Sequence, residues 1–589
     1  MNEKLSSQLS TLEGTGLIRV AAREPELEYT FRHVLSLEGA YESMLKQDRR
    51  RLHLDVGECL ERALAGNIDE FMPILARHFD EAGDDARAVD YLSRAAESAS
   101  RRYANREAVA LLDRALTVAL RGGATGATIA DVSTRAGRLR EMDGNYDAAL
   151  ATYDALELLA KERGDIGMTC QAFLARAAVF CAPTSRFDAA RGLNEANEAL
   201  RLSIATGNRA GQAKAHWLIL LVSKFNQDPL RGLESGEASA AIARELGLQE
   251  QLAYTLNDIY PVYLMTGSVH KGIAALEEAE QIWRELGNLP LLADTLANLG
   301  EMRAFGDGTT AAEPTLREAI RITDAIGNLW GQSYSRGVMA LSLLEAGQYE
   351  EAVRLSELAA SLGKQAGFVI AQIMMPCIQA QCLADLGQPQ RGIELIRRAA
   401  GIAESLLPSW RGYPAAMMAL CVMKLGDLTA VATAIEDARR LASNYDISAL
   451  YEQIAEVEHA HLAGAHEEVI RKSDEAETIF AVFGCRLYTP VLWTRKAEAY
   501  AALGCFGDAE ASAREALARS AALGVRRGLW RTWSALWVAL KAQGRESDAR
   551  EAKEQAREEI AYTASRAGSD DLRFSFLNLP DVRTFLEDR

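Results

Sequence analysis

The sequence is poor in the residues that interrupt a chain or cross-link it. Only 13 of the 589 residues are proline and no Ser/Pro-rich linker occurs, so one regular architecture is favoured over a string of separate domains. The eight cysteines form no Cys-x-x-Cys pair, which is typical of reduced thiols rather than of a disulfide framework. Aromatic residues, at 7%, are too few for a β-sandwich. What remains is an ordered, helix-rich chain.

Long apolar runs and an excess of positive charge are also missing. The N-terminus has no apolar segment of the kind found in signal peptides, and no stretch approaches the ~18 consecutive apolar residues of a membrane span. The 65 basic and 82 acidic residues give a formal charge of -17, which opposes the phosphate binding of nucleic-acid proteins. We therefore expect a cytoplasmic protein with no membrane contact and no direct nucleic-acid ligand.

A repeat of about 40 residues runs through most of the chain. Turn-like residues followed five positions later by a small residue form the series Gly144, Ser185, Gln227, Gly267, Asp307, Gly347, Gly387, Gly426, Gly464, Gly504 and Gly544. A second series stands about twenty residues after several of these turns, at Gly247, Gly287, Gly327, Gly367, Gly484 and Gly524. Because glycine at a helix end accepts the left-handed conformation, each unit is predicted to be helix, tight turn, helix and glycine stop.

The residue types within each unit resemble those of the tetratricopeptide repeat. Three units carry the scheme most clearly: Trp493, Ala497, Tyr500, Gly504, Phe506, Ala509 and Ala516; Ala340, Gly347, Tyr349, Ala352 and Ala359; and Ala380, Gly387, Gly392 and Ala399. The resemblance implies an all-α, right-handed solenoid in which small residues let neighbouring helices approach. Two features depart from the family: the unit exceeds the usual length of about 34 residues, and Lys496 stands where the motif has an aliphatic residue.

The repeat array is predicted to cover residues 61–565 and to hold about twelve helix pairs, including one around Tyr103. The tail 566–589 breaks the period and is rich in apolar residues, so we expect a cap, since a terminal repeat must cover its apolar face. Trp530, Trp533 and Trp537 share one face of the last unit's first helix and favour cap core over a ligand surface.

Residues 1–60 differ from the array. The runs Leu17–Val20 and Leu27–Phe31, with Tyr29 and Phe31 alternating with polar residues, predict a β-hairpin with one buried face. The segments GLIR, EYTFRH, AYESML and RRRLH, with FLNLPDV near the end of the chain, resemble signal-transducing STAND ATPases, including those fused to class III adenylate or guanylate cyclases, and LuxR-type regulators. That resemblance implies a winged-helix remnant and hinge at 1–60, leading into a sensor array, with an ATPase partner at the N-terminus.

No nucleotide-binding or catalytic pattern accompanies this resemblance. The motif GxxxxGK[ST] is absent, because Gly363 and Lys364 lack the earlier glycine and lie at a helix end. His459, His461 and His466 lie on both sides of a predicted turn and on different helix faces, so they do not predict a metal site. We expect no catalytic residue, no metal and no cofactor.

The inner surface of the solenoid offers a candidate partner-binding groove. In the resembled family, the residues 13 and 10 before the turn share a face of the first helix and point into the concave surface. Here these positions carry rigid aromatic side chains with polar tips and an asparagine suited to a peptide backbone. The predicted groove residues are Lys214, Trp217, Tyr254, Asn257, Asp294, Tyr334, Tyr413 and Tyr451. The alternative is that these rings pack between adjacent helices.

The sequence therefore predicts a non-catalytic sensor or scaffold that captures a protein or peptide between about residues 210 and 460. Capture would change the curvature of the superhelix and pass that change to the N-terminal hinge. Three alternatives remain: a truncated STAND-type transcriptional regulator or cyclase-associated ATPase whose nucleotide-binding half is missing, a purely structural scaffold, and a hydrolase, for which the sequence shows no site.

Because the sequence holds no Walker motif, the purified chain should neither bind nor hydrolyse ATP. Isothermal titration calorimetry with magnesium ATP checks this, and heat of dilution is the only signal expected. A saturable isotherm with micromolar affinity would contradict the prediction.

Overall fold

The structure is a computed structural model that describes residues 3–22, 28–64, 68–102, 104–226, 228–441 and 448–588. Three residues of the predicted patterns lie outside the described residues. They are Leu27 of the second predicted strand, and Tyr103 and Gln227 of predicted turns. The chain divides into two compact units, unit 1 at Met1–Ala172 and unit 2 at Phe173–Arg589. In the described part of the chain, every helix is too short or too polar to cross a bilayer.

Unit 1 contains a two-stranded antiparallel sheet followed by helices. Its elements are α1 Glu3–Gly14, β1 Ile18–Ala22, β2 Glu28–Phe31, α2 Val34–Ser43, α3 Lys46–Ala63, a 3-10 turn Ile68–Phe71, α4 Met72–Ala82, α5 Asp85–Arg101, α6 Asn105–Arg121, α7 Gly126–Met142, α8 Tyr146–Arg163 and α9 Ile166–Cys181. The boundary between the units falls inside α9. Leu75, Phe79, Leu112 and Ile129 lie in the apolar core that α4 to α7 share.

The predicted hairpin is confirmed, and its predicted buried face is wrong. Ile18 pairs with Phe31 and Val20 with Tyr29. Phe31 is nevertheless 38% exposed, and Tyr29 is only partly buried. The sheet has only two strands, and α1 and α2 cover it only in part, so neither face is sealed.

In the part of unit 2 that the structure describes, the chain forms helices joined by turns. They are α10 Ala189–Ala205, α11 Arg209–Phe225, α12 Pro229–Leu246, α13 Gln249–Met265, α14 Val269–Leu286, α15 Leu289–Asp307, α16 Thr309–Ile326, α17 Leu329–Glu345, α18 Tyr349–Gln365, α19 Val369–Asp385, α20 Pro389–Leu406, α21 Gly412–Val422, α22 Leu428–Leu441, α23 Ser448–Leu462, α24 His466–Val482, α25 Thr489–Ala502, α26 Phe506–Leu523, α27 Leu529–Ala542, α28 Glu546–Ser565, α29 Asp570–Leu577 and α30 Pro580–Glu587. Two 3-10 turns, Pro408–Trp410 and Met423–Leu425, flank α21.

The predicted repeat of helix pairs is confirmed. Twelve consecutive pairs, from α5 and α6 to α27 and α28, follow one another through the described residues. The turn glycines from Gly144 to Gly544 and all six stop glycines have positive φ, as a left-handed turn or cap requires. The turn predicted at Asp307 lies one residue later, at Gly308, because α15 continues through Asp307.

Small residues bring the paired helices together at the predicted places. Ala340, Ala380 and Ala497 are fully buried. At Gly392 a β-carbon would lie 2.8 Å from the carbonyl oxygen of Ala380, so α20 could not pack this closely on α19 with a larger residue. Lys496 fits in its aliphatic position because its ammonium lies 2.7 Å from Asp474 and its end lies over the Trp493 ring.

The C-terminal tail packs on the last helix pair. Phe585 of α30 contacts Trp530 and Trp537 of α27, with ring centroids 6.4 and 5.5 Å apart, and Val582 is fully buried. These contacts cover the apolar end of the array. Residue 60 lies inside α3 and residue 565 at the end of α28. The assignment of domains with these boundaries stays a prediction.

Ala497 allows a direct test of the packing between α25 and α26. A tryptophan there would overpack a site with no free volume and should cost about 1 to 3 kcal/mol or more of stability. Ala497→Trp should therefore lower the thermal midpoint measured by circular dichroism. The control is Ala502→Trp at an exposed position of the same helix. Equal midpoints for the two variants would show that this register is wrong.

Candidate functional site

The predicted groove residues on α11 and α13 contact one another. The Trp217 indole N–H donates a hydrogen bond to Asp258 at 2.8 Å, and the Trp217 ring lies 5.5 Å from that of Tyr254. Tyr254 also meets Trp283 edge to face at 5.1 Å. Lys224 lies 3.3 Å from Asp258 and places a cation beside this aromatic group. Trp217 and Tyr254 are partly buried, so part of each ring stays accessible.

Asn257 and Asp294 belong to a buried polar network. Asn257 is 6% exposed and donates to Asp294 at 2.8 Å, while its side-chain oxygen accepts from Thr295 and Asn298. Burial, together with the nearby charge of Asp258, raises the pKa of Asp294 to about 7. The Asn257 side-chain oxygen and one of its amide N–H groups are therefore already bonded to α15.

Tyr334 extends this network to α17. Its hydroxyl donates to Asn298 at 2.6 Å, and the Tyr260 hydroxyl donates to Glu301 at 3.1 Å. Burial raises the pKa of Glu301. The α13–α17 polar network comprises Asn257, Tyr260, Asp294, Thr295, Asn298, Glu301 and Tyr334.

Tyr413 and Tyr451 lie in a different part of unit 2. They are 2% and 5% exposed and meet edge to face at 5.8 Å. The Tyr451 hydroxyl lies 2.7 Å from that of Tyr488, at the start of α25. Lys214 is partly buried on α11. The structure thus divides the eight predicted residues between separate clusters, and contact with a partner stays a prediction.

Sequence reasoning missed a contact that unit 2 makes with itself. The backbone N–H groups of Arg486 and Leu487 donate to the carbonyl of Phe305 at 2.7 and 3.0 Å. The Thr309 hydroxyl donates to the carbonyl of Gly524 at 2.9 Å, across 215 residues of sequence. At Gly308, where φ is +97°, a β-carbon would lie 2.2 Å from the Leu523 carbonyl oxygen, so only glycine fits. Turns in the middle of unit 2 therefore pack on loops near its end.

Here the middle part of unit 2, α15 to α19, meets its late part, α25 to α30, and Arg527 of the loop before α27 makes charged contacts between them. Its guanidinium donates to Asp385 at 2.6 Å, Glu345 at 2.8 Å and Gln381 at 3.0 Å. The backbone N–H groups of Arg526 and Arg527 both donate to the Glu345 carbonyl. We call these five residues the Arg527 junction. Burial by itself would raise the pKa of Asp385. The positive charges of Arg527 and Lys424 have the larger effect and hold this pKa below its usual value.

A cavity of about 650 Å³ lies beside the Arg527 junction. This volume is in the range of about 300 to 1,000 Å³ that is typical of ligand pockets. Aromatic side chains from both parts of unit 2 line it: Tyr349, Tyr451, Tyr488, Trp530 and Phe576. Charged side chains complete the wall: Glu345, Asp385, Lys424, Glu458, Arg495, Arg527, Arg531 and Asp581.

A second ion pair stands on the wall of the cavity. Arg495, with 7% of its side chain exposed, binds both oxygens of Glu458 at 2.7 and 2.8 Å. Burial opposes the Glu458 charge, but Arg495 outweighs it and lowers the pKa of Glu458 to about 2. Of the three clustered histidines, His461 lines the cavity and lies 3.6 Å from Glu498. Such a wall can stack on apolar groups and form charge-assisted hydrogen bonds.

The junction joins the ends of α17 and α19 to the loop between α26 and α27, far apart in sequence, which is why the repeat pattern alone did not identify it. One signal was present. Glu345 and Asp385 each stand two residues before a turn glycine, Gly347 and Gly387. A carboxylate at the same register of successive repeats shares one edge of the array, and that regularity predicts a charged surface there.

Comparisons with known proteins leave the family open. No family model and no curated protein matches the chain. Among solved structures, a Rap protein complexed with competence and sporulation factor is 12% identical and has a TM-score of 0.45, covering 60% of this chain and 98% of that one. The Cut9–Hcn1 hetero-tetramer of the APC/C is 12% identical, with a TM-score of 0.32 and 85% and 96% coverage. Yeast Tom70 is 11% identical, with a TM-score of 0.31 and 79% and 100% coverage. Likenesses this distant carry no argument about function.

Replacing Arg527 should destabilise unit 2. Arg527→Gln leaves Glu345 without its cation and Asp385 with Lys424 alone, and breaking a buried ion pair costs about 3 to 5 kcal/mol. The thermal midpoint by circular dichroism should fall clearly. Arg514→Gln, which removes an exposed pair with Glu510, should change it little. If both variants melt like the parent, the junction does not hold unit 2 together.

Asp294 should make stability depend on pH. Its folded pKa of about 7 lies above the unfolded value of 3.8, so the folded chain binds one more proton between these values. The stability contributed by the protonated form is complete below about pH 4 and is lost as the pH rises through 7. Urea denaturation should give the parent a lower free energy of unfolding at pH 8 than at pH 5. This decrease should be smaller in Asp294→Asn. An identical decrease in both chains would contradict the burial of this carboxyl group.

Proposed function

We propose that this chain is a non-catalytic recognition module that captures a protein or peptide ligand within unit 2. The observation that carries the proposal is the cavity of 650 Å³ beside the Arg527 junction, lined by five aromatic side chains and by paired charges. Stable ion pairs and aromatic rings suit binding, because they offer shape and charge without a group poised to transfer a proton or attack a substrate.

The same geometry supports a sensing role. Helix pairs in a repeat array contact mainly their neighbours, so the array deforms easily unless distant units also touch. The Arg527 junction is such a distant contact, and the cavity shares Glu345, Asp385 and Arg527 with it. A ligand that binds these residues more tightly in one arrangement shifts the population toward that arrangement. Capture would thereby alter how the helix pairs stack.

A finer proposal places the module in the cytoplasm as the sensor of a STAND-type signalling ATPase. The support comes from the N-terminal residues that resemble the block following the ATPase core in that family. Val34 and Leu35 at the start of α2, and Leu45 just after its end, are exposed apolar side chains in that block. An ATPase partner docking there would cover them.

The test is affinity capture followed by titration. The tagged chain is used to recover partners from a lysate of the source cells, and the recovered partner is titrated against variants. Tyr254 does not line the cavity, so Tyr254→Ala tests whether the ligand also contacts the predicted groove residues. If it does, capture should weaken about tenfold or more, because an aromatic anchor contributes about 2 kcal/mol or more at an interface. Phe574→Ala, at an exposed ring on α29, is the matched control.

Three results are informative. A lower affinity of the partner for Tyr254→Ala but not for Phe574→Ala supports the predicted groove residues as contact surface. Equal affinity for the parent and both variants, with unchanged helical content, assigns Tyr254 to packing against Trp217 and Trp283. Failure to recover any saturable partner would contradict the recognition function itself.

A further inference from the structure

We propose that the cavity of unit 2 takes a short peptide that presents a carboxylate to Lys424, Arg527 and Arg531. This inference rests on the proposed recognition function and names the chemistry of its ligand. It follows from comparing the hydrogen-bonding groups on the cavity wall that are already used with those that remain.

The acceptors on the wall are largely taken. One carboxylate oxygen of Asp385 accepts a hydrogen bond from Arg527 at 2.6 Å, and the other lies 3.3 Å from the Lys424 ammonium. Both oxygens of Glu458 accept hydrogen bonds from Arg495, and the side-chain oxygen of Gln381 accepts one from Arg527. Glu345 receives Arg527 on one oxygen. To pair with Asp385 or Glu458, a cationic ligand would therefore have to displace Arg527 or Arg495 from a buried partner, which is costly.

Donors, in contrast, remain free. Arg527 uses three of the five N–H groups of a guanidinium in its bonds to Glu345, Gln381 and Asp385. Lys424 has three N–H groups and one carboxylate contact, to Asp385. The Tyr349 hydroxyl, on a buried residue of the wall, makes no hydrogen bond to another described residue. These spare donors favour a ligand that supplies acceptors.

Arg531 is the cation whose present partner is easiest to replace. Its guanidinium lies over the Trp530 ring and 2.9 Å from Asp581. The Asp581 side chain is 62% exposed and belongs to α30 of the C-terminal tail. An exposed ion pair contributes little stability, so a ligand carboxylate can compete with Asp581 for Arg531 at small cost.

The remaining lining indicates what else the ligand carries. Trp530, Phe576 and Tyr451 offer apolar and aromatic surface, which an inorganic anion would leave unused. A peptide unites apolar side chains with carboxylates, at its C-terminus or on Asp and Glu. The two sources share one chemistry, and the experiment below separates them.

Because Asp581 competes with the ligand for Arg531, substitutions of the two residues should change ligand affinity in opposite directions. Arg531→Gln removes a cation for the ligand and should weaken binding about tenfold or more, since a charge-assisted hydrogen bond contributes about 1.5 to 3 kcal/mol. Asp581→Asn removes the competing carboxylate and should strengthen binding severalfold. A purely structural Arg531–Asp581 pair would make both substitutions act in the same direction.

The experiment offers three pools of N-acetylated random tetrapeptides to the full chain and measures retention by affinity-selection mass spectrometry. The first pool has a free C-terminus and no Asp or Glu, the second is amidated and contains Asp and Glu, and the third is amidated without acidic residues. Retained members are then titrated against the parent, Arg531→Gln, Asp581→Asn and the exposed control Arg514→Gln.

Retention of the first or second pool, with the opposite effects of the two variants, is the expected result. It shows whether the bound carboxylate is that of the C-terminus or that of an Asp or Glu side chain. Equal retention of the third pool, retention of no pool, or unchanged affinity in Arg531→Gln and Asp581→Asn would overturn the proposal. If Arg531→Gln fails to fold, Asp581→Asn still decides, because unchanged or weaker binding contradicts competition. A partner captured from lysate that binds independently of these residues would overturn this inference and leave the recognition function standing.

Discussion

The ion pairs of Arg527 with Glu345 and Asp385 are the contacts on which the rest of unit 2 depends. They join side chains that are 182 and 142 residues apart in sequence. Each helix pair is otherwise held by its neighbours, so without such contacts the two parts of unit 2 would be linked only through the helices between them. The cavity has walls from both parts, and the junction on its wall is one of the contacts that hold them together.

Much of the fold was predictable because its causes are local. The positive φ of glycines such as Gly347 and Gly524 ends a helix or forms a turn whatever the rest of the chain does. The spacing of these glycines therefore predicted the helix pairs, and the buried alanines followed from the same register. The hairpin was predictable in position but not in burial, because burial of Phe31 depends on which elements cover a two-stranded sheet.

The candidate site was less predictable because it depends on contacts across the unit. A common offset from the turns places Tyr254, Tyr334, Tyr413 and Tyr451 on equivalent helix faces, yet their surroundings differ. Tyr451 is buried by its hydrogen-bonding partner Tyr488, while Tyr254 keeps part of its ring accessible beside Trp217. Arg527 carries no repeat signature at all, since its role arises only where one part of the array meets another.

Hydrogen exchange of backbone amides tests the central claim most directly, namely that unit 2 contacts itself through turns and loops. Arg486 and Leu487 donate to Phe305, Arg526 and Arg527 to Glu345, and Glu350 to the carbonyl of Arg566. Mass spectrometry of the full chain should find these amides, four in loops and that of Glu350 in the first turn of α18, protected as strongly as the helices beside them. Exchange of all five at the rate of an unstructured peptide would show that the two parts of unit 2 do not touch, and the cavity beside the Arg527 junction would not exist.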